Sequence, residues 1–193
     1  MSTMTLRELN GLDRTAPALA DSTLILIDYQ NTYTRGVLEL TGWRPALEAG
    51  AELLARARAA GAAVVHVIND GGPGTLYDVR ADVGRPHPLV APRDGEAVVV
   101  KSVPDGFVGT DLGAHVDAAG HENVVIAGFM THMCVSYTAA GAFLRGNRPT
   151  VVADACATRP VAGVEAETLH RAALATVADL YGVVVGSAAE LAR

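Results

Sequence analysis

The chain is 193 residues long, half of them hydrophobic and 19% charged, with two cysteines and a formal net charge of −6. That length and apolar content suit one packed domain over residues 1–193 and exclude a disordered chain. Mild acidity without clustered Lys and Arg argues against nucleic acid or an anionic membrane as partner, and two cysteines cannot build the disulfide framework of a small secreted fold.

Residues 1–22 read as a polar N-terminal extension, neither signal peptide nor anchor. No later run is apolar for long enough to span a bilayer, so a soluble cytoplasmic protein is expected. Thr23 to Ile27 forms the first predicted strand and runs straight into Asp28. Arg44 to Ala60 has helical spacing, with Pro45 in the first turn, Leu47, Leu53 and Leu54 on one side, and Gly61 at the end. Ala63 to Ile68 is the second strand, and its His66 reads as a hydrogen-bonded core residue. A Gly- and Pro-rich connection follows from Asn69 through Gly95, the kind of long segment that serves as a lid or binding loop. The third strand is Val98 to Lys101, and Thr110 is placed as the N-cap of a short helix ending near Gly120. Asn123 to Gly128 makes the fourth strand, a helix runs from about Cys134 to Arg145, and Thr150 to Ala153 is the fifth strand. A long helix from near Gly163 to Leu180 precedes the sixth strand, Val183 to Gly186. Ser187 to Glu190 is a capping box expected to open a terminal helix. The strands are continuously apolar, as strands covered on both faces are, which predicts an α/β fold with a parallel sheet and helices on each side.

Ligand sites in open α/β sheets lie beyond the carboxyl ends of the strands. Asp28, Lys101 and Cys134 all fall at such ends. Singly, each has an ordinary reading: a turn residue, a solvated strand end, a packed thiol. Together, acid, ammonium and thiol are the parts of an activated cysteine nucleophile. A helix start at Cys134 and the charge of Lys101 are expected to lower the thiol pKa, with Asp28 taking the proton.

Four pieces in order carry a resemblance: Leu26-Ile27-Asp28-Tyr29-Gln30, then Val100-Lys101 with Phe107 downstream, then Gly128-Phe129-Met130-Thr131-His132-Met133-Cys134-Val135, then Val152-Ala153-Asp154-Ala155-Cys156. From Leu24 to about Gly186 the chain resembles the isochorismatase-like cysteine hydrolases, a superfamily that includes nicotinamidases, N-carbamoylsarcosine amidohydrolase, ureidoacrylate hydrolases and streptothricin hydrolase. The resemblance implies a three-layer α/β/α fold with a six-stranded parallel sheet of order 3-2-1-4-5-6. It implies a catalytic triad of Asp28, Lys101 and Cys134 and a cis peptide between Phe129 and Met130. The backbone N–H groups of Met130 and Cys134 would form the oxyanion hole. The implied reaction is hydrolysis of an amide or related C–N bond of a small molecule through a thioester on Cys134, in a homo-oligomer, dimer or tetramer. Lys101 would have to reach back across one strand to meet Asp28.

Gln30 and Thr131, within these motifs, and His132, two residues before Cys134, are candidate substrate contacts. The aromatic Tyr33, Phe107 and Tyr137 are candidates for the pocket wall, as is Trp43, though each could be core. The nicotinamidase branch carries an Asp-x-His metal motif after the first strand; here Asn31 to Gly36 offers no such ligands, the histidines are scattered, and neither metal nor cofactor is expected. Cys156 reads as a packed thiol. Alternatives are a lactam hydrolase of the streptothricin type, an ether hydrolase of the isochorismatase type, which would not need the thiol, and a catalytically silent interaction protein of the same fold. A nucleotide- or flavin-binding module is disfavoured because the first strand leads into Asp28-Tyr29-Gln30-Asn31 and not a Gly-rich turn.

Overall fold

In the computed structural model, which describes residues 4–192, the strands are β1 (Ser22–Ile27), β2 (Ala63–Asn69), β3 (Ala97–Lys101), β4 (Asn123–Phe129), β5 (Arg148–Ala157) and β6 (Val183–Val185). They form one parallel sheet of order β3-β2-β1-β4-β5-β6. The helices are α1 (Leu6–Leu9), α2 (Trp43–Ala59), α3 (Leu112–Ala119), α4 (Ser136–Leu144) and α5 (Ala166–Thr176).

Successive strand residues point to opposite faces, and in the central strands both faces are buried. Leu24 and Leu26 of β1 join Val125 and Ala127 of β4 beneath Leu47, Leu53 and Leu54 of α2. Ile25 and Ile27 join Val124 and Ile126 on the other face, beneath Leu112 and Val116 of α3 and Ala139 and Ala142 of α4. Each Leu or Ile so buried stabilises the fold by about 1.5–3 kcal/mol. The edge strand β3 departs from this pattern, because Val98 and Val100 remain 45% and 52% exposed.

Two glycines let these layers close. A Cβ on Gly50 of α2 would stand 2.3 Å from the Tyr29 hydroxyl, which donates to the Ala155 carbonyl of β5. Gly128 of β4 has φ 143°, and a Cβ there would lie 2.0 Å from the Ile27 carbonyl oxygen. Only glycine permits that approach of β4 to β1 beside the future site.

Several boundaries differ from the sequence reading. β5 runs on to Ala157, past an irregularity between Ile126 and Gly128 of β4, so Cys156 lies inside the strand. α5 begins at Ala166 and gives way to a π turn over Val177–Tyr181. The capping box at Ser187 and Glu190 forms, yet it opens only a 3-10 turn, Ala188–Glu190. Thr110 is not the N-cap of α3, a position that Asp111 occupies; its hydroxyl accepts from Leu112 N and donates to the Gly106 carbonyl. In the extension, Leu6 N donates to Asp179 Oδ1 at 3.0 Å and Arg7 Nη1 to the Leu180 carbonyl at 3.0 Å, which fastens it to the π turn after α5.

Candidate active site

The carboxyl ends of β1, β3 and β4 meet at one point. Asp28 leaves β1 in the left-handed region, with φ 49°, while its N–H donates to the Val67 carbonyl of β2 at 2.8 Å. Lys101 closes β3 opposite Asn69, and its side chain crosses the end of β2. Lys101 Nζ donates to Asp28 Oδ2 at 2.7 Å and to Cys134 Sγ at 3.3 Å. The stem therefore spans the strand that separates them in the sheet. Cys134 does not open an α-helix; it sits in a π turn, Thr131–Val135, that continues into α4.

All three groups are buried, with Asp28 at 0%, Lys101 at 2% and Cys134 at 8% exposure. Burial pushes the Asp28 carboxyl up, while the Lys101 ammonium pulls it back. Burial alone would lower Lys101, but the facing charges of Asp28 and Cys134 outweigh it and hold the ammonium. The thiol moves the opposite way from the sequence expectation. Burial, then the Asp28 charge, push Cys134 up to about 12 against the pull of Lys101. Ammonium, carboxylate and thiol together carry no net charge, the cheapest arrangement for a buried cluster. Moving the thiol proton to Asp28 would keep that neutrality, and Asp28 Oδ1 is buried with no hydrogen-bond partner among the described residues.

The proposed substrate contacts separate into groups. Gln30 is fully buried and spent within the chain: Nε2 donates to the carbonyls of Asn69 and Gly84 at 2.9 and 2.6 Å, and Oε1 accepts from Asn69 N at 3.0 Å. It ties the end of β1 to that of β2 and has no polar group left for a substrate. Tyr33 is buried edge-on against Phe129. Phe107 is half-buried in the α3–α4 layer, with the Arg145 guanidinium 5.2 Å over its ring. Thr131 Oγ1 pairs with His170 Nδ1 at 2.8 Å, and His132 Nδ1 with Thr158 Oγ1 at 2.5 Å. Both bonds hold the turn that carries Cys134. Tyr137 is 53% exposed and lines an outer groove between α4 and α5, so it does not wall a closed pocket around the thiol. Trp43 packs against the α2 layer.

The isochorismatase-domain family model matches residues 22–190. A secreted isochorismatase effector, Isc1, of Verticillium dahliae is 34% identical, over 94% of this chain and 96% of its own. Maleamate amidohydrolase of Pseudomonas putida is 33% identical over 84% of this chain and 81% of its own. The crystal structure of an isochorismatase from Pseudomonas putida superposes with a TM-score of 0.95 and 34% identity, covering 99% of this chain and all of that one. The chain belongs to the isochorismatase family. It is an isochorismatase-family hydrolase with the sheet order and flanking helices of its relatives. A streptothricin hydrolase of Streptomyces noursei is 39% identical, but the match spans 49% of that protein.

Within this isochorismatase-family fold, some residues at the strand ends carry no motif signal. His170, on α5, reaches Thr131 from far along the chain. Tyr77, from the β2–β3 loop, places its hydroxyl 3.2 Å from that of Tyr33. Arg159, two residues past β5, has a buried Nε with no partner among the described residues. Cys156 donates to the Val152 carbonyl at 3.3 Å, and burial first, with the Asp154 charge adding, pushes its thiol up to about 12. Among the described residues no three His, Cys, Asp or Glu side chains cluster as metal ligands.

Proposed function

We propose that this isochorismatase-family hydrolase cleaves an amide or related C–N bond of a small molecule through a thioester on Cys134. The observation that carries the reading is Lys101 Nζ, buried between Asp28 Oδ2 at 2.7 Å and Cys134 Sγ at 3.3 Å. In this mechanism Asp28 takes the thiol proton while Lys101 stabilises the forming thiolate. The sulfur attacks the carbonyl carbon, and the N–H groups of Met130 and Cys134 receive the oxyanion. Collapse of the tetrahedral adduct breaks the C–N bond as Asp28 returns the proton to the leaving nitrogen. Water, deprotonated by Asp28, then attacks the thioester, releasing the acid and restoring the thiol. The names of relatives support this choice of bond, among them maleamate amidohydrolase and ureidoacrylate amidohydrolase.

Two narrower readings compete with it. A lactam target has support in the likeness to streptothricin hydrolase, and an ether target in the likeness to proteins named isochorismatase. A screen of amides for released ammonia or amine, of lactams for the amino group freed on ring opening, and of vinyl ethers for the carbonyl product, with Cys134→Ala beside the native protein, decides among them. Turnover lost in the variant supports the thioester route, and full turnover in the variant overturns it. The active unit is proposed to be a homo-oligomer, because Val98 and Val100 give edge strand β3 an exposed apolar face of the kind a second copy covers. Sedimentation at micromolar concentration tests this, and a monomer refutes it. A cytoplasmic setting is part of the same proposal, supported by two free thiols. Fractionation of the source cells tests it, since Isc1 is by name secreted.

A further inference from the structure

Two phenols stand close enough to the triad to feel the Asp28 charge, and among the described residues their hydroxyls hydrogen-bond only to each other. Tyr33 lies in the 3-10 turn Asn31–Tyr33 that follows Asp28, and it is 1% exposed. Its ring packs edge-on against Phe129, centroids 5.8 Å apart, the residue before Met130. Tyr77 arrives from the β2–β3 loop and meets Tyr33 edge-on at 6.0 Å. That loop is anchored at Lys101, whose carbonyl accepts from Asp70 N at 3.0 Å, while Gly71 N donates to the Tyr77 carbonyl at 3.3 Å. Arg80 clamps the same loop through Asp70 and Asp78, at 2.8 and 2.7 Å. The pair is therefore fixed from the ends of β1, β3 and β4, the strands that carry Asp28, Lys101 and the turn to Cys134.

The hydrogen-bond count leaves something over. Two phenols hold two O–H donors, and the bond between them, at 3.2 Å, uses one. Neither hydroxyl has another partner among the described residues. Burial first, with the Asp28 charge adding, raises both phenols above their ordinary range, offset in part on Tyr77 by the bond from Tyr33, so both stay protonated donors at neutral pH. The bond runs from the Tyr33 O–H to the Tyr77 oxygen, so the spare O–H is that of half-buried Tyr77, open to a ligand acceptor.

We propose that the Tyr33–Tyr77 pair orients the substrate, donating its unspent O–H to an oxygen, so that the site selects small amides bearing a second oxygen acceptor besides the scissile carbonyl. This deepens the amide-hydrolase reading and rests on it. A site with a committed donor rejects an isostere that lacks the acceptor.

Two probes of equal heavy-atom count test this: malonamide, with a second carbonyl, and isovaleramide, with a branched alkyl group in its place. Binding is measured by ligand-detected NMR titration on the Cys134→Ala protein, so that no turnover intrudes. Malonamide is expected to bind about tenfold more tightly, the range of one net hydrogen bond. Either phenylalanine variant alone still leaves one O–H unspent, so it is the double variant Tyr33→Phe, Tyr77→Phe, which keeps the rings and their packing, that should bring the ratio close to one. Tyr181→Phe, whose ring packs on Phe143, should leave it unchanged. Equal or undetectable binding of the two probes, or a preference surviving in the double phenylalanine variant, overturns the proposal. The amide-hydrolase reading is judged separately, by turnover in the native protein: loss of the probe preference beside Cys134-dependent amidase activity sinks only the phenol pair, and the converse sinks only the thioester route.

Discussion

Lys101 is the residue on which the other two depend. Its ammonium is enclosed by one carboxylate and one thiol, and removing it leaves the Asp28 carboxylate buried without a counter-charge. Breaking such a pair from one side costs about 3–5 kcal/mol, because the remaining charge stays desolvated. Lys101→Met is therefore expected to lose both turnover and stability in urea unfolding. The double variant Asp28→Asn, Lys101→Met should regain much of the lost stability, although not the activity. A double variant no more stable than Lys101→Met would show that the charge is not what destabilises. Cys134→Ala removes a thiol and no charge, so it should lose turnover while melting close to the native protein.

The same burial predicts the pH dependence of the reaction. With the thiol pushed up to about 12, Cys134 rests protonated and each attack needs an ionised Asp28 to receive the proton. Asp28 is itself raised by burial, so the rate should climb with pH through an acidic limb above the ordinary carboxylate value. It should then stay flat through about pH 8.5, where an unperturbed thiol would titrate. An inflection there in kcat/KM would mean that Cys134 ionises as a free thiol.

At the scale of elements, α2 is held to the sheet at two points. Gly50 makes room for Tyr29, and a methyl group there would meet its hydroxyl at 2.3 Å. Gly50→Ala is expected to cost about 1–3 kcal/mol through overpacking, despite alanine's better helix propensity, read as a lower melting temperature. The second point is Glu96, before β3, which accepts from Arg58 of α2 at 2.7 and 2.8 Å and pairs with His66 of β2 at 2.9 Å. Arg58 hydrogen bonds, partly offset by burial, hold the Glu96 carboxyl down at about 2. A carboxyl depressed in the folded state contributes stability above its unfolded pKa and loses it as pH falls through its folded value. Acid titration should therefore weaken the fold progressively from about pH 4.5 to about 2, and Glu96→Gln should flatten that part of the curve.

For the whole molecule, the chemistry is proposed to run on the chain's own groups. Histidines and carboxylates do not gather in threes among the described residues, and His66 and His170 are engaged with Glu96 and Thr131. Prolonged EDTA treatment should leave turnover unchanged, and a chelator-sensitive rate restored by one divalent ion would contradict this.

Strand cores and the abrupt charges at their ends were legible from the sequence, because parallel strands buried on both faces read as unbroken Val and Ile runs. Thr23–Ile27 against the observed Ser22–Ile27 is such a case, and so is Val98–Lys101 against Ala97–Lys101. The quoted motifs likewise named the three residues that meet. Local patterning also determined the capping box at Ser187, but not whether a helix would grow from it. What local order cannot hold is anything set by chains crossing in space. The approach of Lys101 to Asp28, the bond from His170 to Thr131 and the pairing of Tyr77 with Tyr33 each join segments dozens of residues apart. Gln30 sits in a motif that suggests ligand contact, and only the folded chain shows its amide consumed by Asn69 and Gly84. The thiol is the clearest instance. Residue types and order promise an acidic cysteine, whereas the dielectric around Sγ, which the packed structure alone sets, reverses the direction.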